Sequence, residues 1–253
     1  MHWYYFGARW QDPAAGRWWT VDALATARNW LTPFNFCSDN PISRIDPLGL
    51  TDYELKGNGK IIIVKGTETT DGSDRLIKGN AKYNKNGKLK GKEGSTYISV
   101  DKGVFDKMES NEDYQFFKTS SGEKADQLYD FIAANVGVEY GKADLITGEG
   151  KEESVFMTTY SNREVGILND WLASKKGDDS GLKLFSHIHN HPNTGDQNMV
   201  GSYGPSGQVG GDRGDIPAAR RLNEVFGGQT PMPRYYIWRN YVRTKYNENG
   251  KLK

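Results

Sequence analysis

SHIHNHP, Ser186–Pro192, places three of the chain's 4 histidines at alternate positions. Successive side chains of a strand point to opposite faces. Phe185, His187, His189 and His191 are therefore expected on one face, and Leu184, Ser186, Ile188 and Asn190 on the other. With a rise of roughly 3.3 Å per residue, two imidazoles at i and i+2 start about 6.6 Å apart. Both can reach one ion at the roughly 2.0–2.1 Å of a zinc–nitrogen bond. Pro192 has no N–H and cannot extend an interior ladder, so it ends the strand at a rim beside the pair.

A catalytic zinc takes three protein ligands and keeps a fourth position open. Cys37 is the single cysteine. That excludes an intrachain disulfide and the zinc patterns built on several cysteines, so the third ligand is expected to be a carboxylate. The stretch after the histidines, NTGDQNMVGSYGPSGQVGGDRGDIPAARRL, offers Asp196, Asp212 and Asp215. Asp215 is the first choice and Asp212 the second. Asp215 opens a helix start with an early proline, and a helix N-terminus aims its carboxylate rigidly. Aspartate is also a favoured N-cap, which leaves capping alone as the other reading. His187 lies deeper on the histidine face and reads either as a structural core residue or as a further ligand or supporting group of the site.

The surrounding residues 116–253 read as one compact α/β unit. Ser120-x-x-Glu123 is a capping-box pattern, followed by Leu128, Phe131, Ile132 and Asn135 at helical spacing, with Gly137 to close. The runs VEYGKADLITG and ESVFMTTYS read as strands joined through Gly148-Glu149-Gly150. Ser161-x-x-Glu164 predicts a second helix, with Val165, Leu168, Trp171 and Leu172 on its apolar face. LKLFSHIHNHP is the histidine strand, a helix follows from Asp215, and RYYIWRNYVRTKY is strand-like. Residues 51–115 are rich in Lys, Gly and Asn, with short β-like runs (KIIIVKG, STYISV) between turn signals, and read as a β-rich connector. Residues 1–50 hold five of the 7 tryptophans, a segment too short to build its own core.

The 253 residues carry Lys+Arg 33 against Asp+Glu 32, a net charge of +1. That balance argues against a strongly cationic nucleic-acid binder. No apolar run approaches the roughly 20 residues of a membrane span. The opening MHWYYFGARW lacks the basic and apolar regions of a secretory signal peptide.

The sequence His189-Asn190-His191-Pro192, with a serine and an aspartate beyond it, resembles the JAB/JAMM metalloprotease signature, His-x-His-Pro…Ser-x-x-Asp, over about residues 120–253. The resemblance implies a mixed sheet flanked by helices in an α/β (α+β) fold, and a zinc (Zn2+) centre held by His189, His191 and Asp215. It further implies a general base on an earlier strand, where Glu139 occupies the family glutamate's place. Glu149, Glu152 and Glu153 suit that place less. In the family the serine stands three residues before the aspartate, where this chain has Asp212. Ser206 is the nearest substitute, displaced by a glycine-rich insertion, and would donate to the oxyanion.

The first fifty residues, YYFGARWQDPAAGRWWTVD…NPISRIDPLGL, resemble the core associated with Rhs/YD repeats. In that family the core closes a β-shell and the variable segment after DPxGL is a toxin. The resemblance implies three parts: an Rhs core tail over 1–50, the connector over 51–115, and a JAB-like metallopeptidase toxin over 116–253. It also implies an autocleavage site near Asp46 and Leu50, and delivery as a secreted effector to a neighbouring cell. The expected partners are a cognate immunity protein, a peptide or isopeptide substrate in the target cell, and the precursor's Rhs shell. A metal-dependent nuclease toxin and a non-catalytic binding module are the alternatives.

Overall fold

The structure is a computed structural model that describes residues 3–5, 9–21, 32–36, 52–64, 73–82, 84, 89–161, 166–192 and 214–252. The chain divides into two units, Met1–Leu55 with Ile61–Asp106, and Lys56–Lys60 with Lys107–Lys253. In the first unit, β1 (Tyr4–Tyr5), β2 (Trp10–Asp12) and β3 (Arg17–Trp18) form a small antiparallel sheet. Trp18 is buried there, under the Arg9 guanidinium and edge-on to Phe36. A second sheet has the order β5–β4–β6–β7, from β4 (Asp52–Leu55), β5 (Ile61–Val64), β6 (Asp74–Lys78) and β7 (Tyr97–Val100). Arg75 forks onto buried Asp52 through two bonds of 2.9 Å, so the charge that β4 buries is paired.

The second unit carries the histidines. Its elements in chain order are β8 (Glu109–Ser110), β9 (Gln115–Ser120), α1 (Glu123–Asn135), β10 (Gly141–Ile146), β11 (Glu152–Thr158), α2 (Gly166–Asp178), β12 (Lys183–Asn190), α3 (Asp215–Val225), β13 (Arg234–Arg239), β14 (Val242–Asn247) and β15 (Gly250–Lys251). One eight-stranded mixed sheet runs β15–β14–β13–β12–β10–β11–β9–β8. Only the β12–β13 pair is parallel; the crossover between them carries α3.

Strand alternation sorts the helices onto two faces. Phe117 and Phe156 stack at 4.7 Å on the face covered by α1, where Tyr129 meets Phe156. The other face carries Phe116, Ala143, Val155, Tyr235 and Ile237, packed with Leu168 and Leu172 of α2 and Ala219 and Leu222 of α3. Each fully buried leucine there contributes roughly 1.5–3 kcal/mol. This three-layer α/β arrangement is the expected fold class, with the helical spacings at Leu128, Phe131 and Ile132 all buried.

Several local expectations change. Ser120 ends β9 and does not cap α1; the N-cap is Gly122, at φ 120, with no side-chain cap bond. α1 ends at Asn135 with Val136 extended, and the amide of Gly137 donates to the carbonyl of Gly57 at 2.7 Å. Glu164 and Val165 lie outside the described residues, while Leu168 and Leu172 of α2 are fully buried. RYYIWRNYVRTKY is a hairpin. Asn240 and Tyr241 both have positive φ, the backbone of a tight two-residue turn matched to strand twist.

The alternation of β12 breaks once. Asp144 pairs with Ser186 and Leu145 with Leu184, so Phe185 is an extra residue in a bulge. Leu184, not Phe185, therefore joins the face of His187 and His189, and it is fully buried in that core. From Ser186 to Asn190 the expected alternation holds.

Candidate metal centre

β12 delivers His189 near its end and His191 just beyond. His191 keeps the strand direction, because its amide donates to the carbonyl of Trp238 in β13 at 3.0 Å. The ring centroids of His189 and His191 stand 5.0 Å apart, with their Nε2 atoms 3.1 Å from each other. α3 brings the carboxylate. Asp215 is the first helical residue behind Gly214, which has no side-chain cap bond. Its Oδ1 lies 3.0 Å from Nε2 of His189 and its Oδ2 3.4 Å from Nε2 of His191. Asp215 thus turns to the histidines and does not serve as the N-cap.

Among the described residues this is the group able to hold a metal ion. Tetrahedral ligands at roughly 2.0–2.1 Å from a common centre stand about 3.3–3.4 Å apart. The observed 3.0, 3.1 and 3.4 Å separations approach that spacing. Two imidazoles and one carboxylate also form the donor type of a catalytic zinc with one position left for solvent or substrate. Side-chain exposure rises from 4% at His189 to 18% at His191, so the group is sealed on its core side and open at the His191 side.

The field at the group favours positive charge. Burial pushes the His189 pKa down, but the Asp215 carboxylate, by charge and hydrogen bond, and the charge of Glu139 raise it overall. Burial pushes Asp215 up, yet His189 and His191 hold it well below the ordinary carboxylate range. The same negative surroundings would stabilise a divalent cation. His187 behaves differently. It is buried, neither ring nitrogen has a hydrogen-bond partner, and burial, with the neighbouring His189 charge, lowers its pKa to about 3. It stands 5.9 Å from the His189 ring, outside the His189–His191–Asp215 group.

Glu139 comes to the same end of the sheet. β10 pairs with β12 so that Gly141 lies opposite His189, which places no side chain against that ring. The amide of Asn190 then donates to the carbonyl of Tyr140, the residue that follows Glu139, so Glu139 precedes β10 at the end of the sheet where the histidines lie. Glu139 is 9% exposed and close enough for its charge to act on His189. Glu152 and Glu153 belong to β11, where Glu152 accepts from Ser121 and Glu153 from Lys118. Asp196, Ser206, Asp212, Asp46 and Leu50 lie outside the described residues.

Two contributors to the site escape a sequence reading. Thr158 Oγ1 donates to the carbonyl of Glu139 at 2.7 Å, and no spacing in a single sequence marks a threonine for that. Tyr246, fully buried on β14, lies within the field of Asp215; burial foremost, then Asp215, raises its pKa well above the ordinary value. No helix among the described residues is long and apolar enough to cross a membrane.

Residues 117–220 match the family model of JAB-like toxin 1, a span that holds Glu139, His189, His191 and Asp215. The match supports a JAB-like toxin domain over this part of the chain. No curated protein matches the chain, nor does any solved structure.

Proposed function

We propose that this chain is the toxin-bearing end of an Rhs-type polymorphic toxin, and that its second unit is a zinc-dependent hydrolase of peptide or isopeptide bonds in a target-cell protein. The observation that carries the reading is the convergence of His189 Nε2, His191 Nε2 and the Asp215 carboxylate. The similarity of residues 117–220 to JAB-like toxin 1 supports it.

His189, His191 and Asp215 would hold the metal. Bound there, zinc would polarise the scissile carbonyl and make water acidic enough to attack near neutral pH. Glu139 takes the proton from the attacking water and passes it to the leaving amine, as base and then as acid. Ser206 donates a hydrogen bond to the oxyanion that develops on the attacked carbonyl. In this reading the 1–50 segment belongs to the precursor's shell, with release near Asp46 and Leu50. The chain then travels as a secreted effector, and the producing cell carries a cognate immunity protein.

The test is expression of the full chain in a bacterial host, as wild type, His191→Ala and Glu139→Gln, with proteomic mapping of new protein termini. Growth arrest with new termini in the wild type alone is the expected result. Wild-type arrest with nucleic acid degraded and no new protein termini would replace the peptidase with a metal-dependent nuclease. Equal arrest without any cleavage would point to a binding module.

A further inference from the structure

We infer that Asn190, the residue between the two histidines, is a positioning residue for Glu139. This rests on the hydrolase reading above and adds to it the part that locks the base strand to the ligand strand. Asn190 points away from His189 and His191, is completely buried, and spends its side chain on backbone across β10. Its Oδ1 accepts the amide of Tyr140 at 2.6 Å, and its Nδ2 donates to the carbonyl of Val138 at 3.0 Å. Its own amide donates to the carbonyl of Tyr140 at 3.3 Å. One side chain therefore grips the peptide groups on both sides of Glu139.

The remaining polar groups of this segment are held too. The amide of Glu139 donates to the carbonyl of Ser161 at 2.7 Å, and its carbonyl accepts from Thr158 Oγ1. The carbonyl of Tyr140 also accepts from the hydroxyl of Tyr129 at 3.2 Å. The turn at Lys56–Lys60 presses on the segment from outside: Gly59 has φ 84, and a Cβ there would come 2.6 Å from Cγ2 of Val138. Glu139 precedes β10, which begins at Gly141, and these bonds hold the peptide groups on both sides of it. Asn190 is the only one of the donors and acceptors that sits on the same strand as the metal-binding histidines. A shift of β12 thus moves the two histidines and the base together. Positional errors of about 1 Å in a catalytic group cost on the order of 10²-fold in rate.

The geometry asks for both halves of the carboxamide. Asn190→Ala removes both bonds. Asn190→Asp keeps the shape and an acceptor for Tyr140, but sets an oxygen against the carbonyl of Val138 where a donor is required. The full chain is prepared as wild type, Asn190→Ala, Asn190→Asp, Glu139→Gln and Glu139→Gln/Asn190→Ala. Each is assayed for zinc content, circular-dichroism melting, hydrogen exchange over Val138–Tyr140, and the inducer dose that arrests host growth.

Asn190→Ala is expected to keep one zinc and its secondary structure, to exchange the Tyr140 amide faster, and to lose at least about tenfold in potency. The double variant is expected to be no weaker than Glu139→Gln alone, because Asn190 acts through Glu139. Asn190→Asp decides the matter if the alanine variant does not fold. Wild-type potency in a folded Asn190 variant, with Glu139→Gln inert, overturns the inference and leaves the hydrolase standing. Loss of zinc along with potency in both Asn190 variants also overturns it, since that is a plain structural role. Undiminished potency of Glu139→Gln removes the base itself and both proposals with it.

Discussion

The carboxylate of Asp215, at the first turn of α3, spans the two histidines that end β12, with Oδ1 3.0 Å from His189 and Oδ2 3.4 Å from His191. A helix N-terminus and a strand end thereby share one donor set. Purified wild type is expected to bind one zinc per chain, and His189→Ala, His191→Ala and Asp215→Ala to lose it. At zinc concentrations about 100-fold above Kd, the ion adds roughly 2.7 kcal/mol to stability. Chelation should therefore lower the wild-type melting temperature and leave those of the three variants unmoved. Affinity should also weaken as pH falls, because imidazole ligands must be unprotonated. A melting temperature indifferent to chelator would remove the metal from the account.

How much of this was readable beforehand depends on the element. The buried face of α1 follows from apolar spacing, since burial selects those positions directly. The three clustered histidines and an aspartate opening a helix also pointed to the group that the fold assembles. What eluded the reading is long-range or local in a way that pattern does not encode. The bulge at Phe185 comes from pairing with β10, and no residue in β12 announces it. Asn190 shows its purpose only once β10 lies alongside. The capping pattern at Ser120 and Glu123 matched in letters, but β9 runs on through Ser120 to pair with Glu153 and the helix starts later.

His187 tests whether every histidine of the cluster belongs to the chemistry. Both its ring nitrogens are buried without a partner, a placement that costs free energy. His187→Leu, close in volume, is expected to keep one zinc and full potency in host growth arrest. Denaturant unfolding should show it equal to wild type or more stable by about 1 kcal/mol. A variant that holds zinc but is inert would give His187 a chemical role.

Asp144 lies on the opposite face of β10 and gathers a polar cluster. Its carboxylate meets Lys142 at 2.8 Å, accepts Ser154 Oγ at 2.5 Å and accepts Ser186 Oγ. Burial pushes its pKa up, but Lys142, Ser154 and Ser186 bring it below the ordinary value overall. A depressed carboxyl contributes stability that is present above its unfolded pKa of about 3.9 and lost as pH falls through the folded value. Asp144→Asn should cost about 1–3 kcal/mol at pH 7, where Lys142 still has Asp126 at 2.6 Å. The gap between wild type and variant should hold from pH 7 down to about pH 5 and shrink below pH 4. Chemical denaturation across that range reads it directly; a gap that widens on acidification would contradict the assignment.

Leu222 links packing to the metal centre. It is buried on the inner side of α3, within the cluster that includes Ala219, Tyr235 and Ile237. Leu222 is not one of the metal-binding group, yet α3 can aim Asp215 only while it is seated on the sheet. Leu222→Ala is expected to cost about 2–5 kcal/mol in denaturant unfolding of the zinc-free chain. Because the helix then samples misplaced positions, the carboxylate meets the histidines for a smaller fraction of the time, and apparent zinc affinity falls in proportion to that fraction. Asn223→Ala removes the next residue's bonds to Tyr235 and Glu248, at 2.7 and 2.6 Å near the same end of the helix, and should weaken zinc less. Titration with a competing chelator ranks the three proteins as wild type, Asn223→Ala, Leu222→Ala. An unchanged zinc affinity in a destabilised Leu222→Ala would mean that the histidines hold the ion without help from the seating of α3.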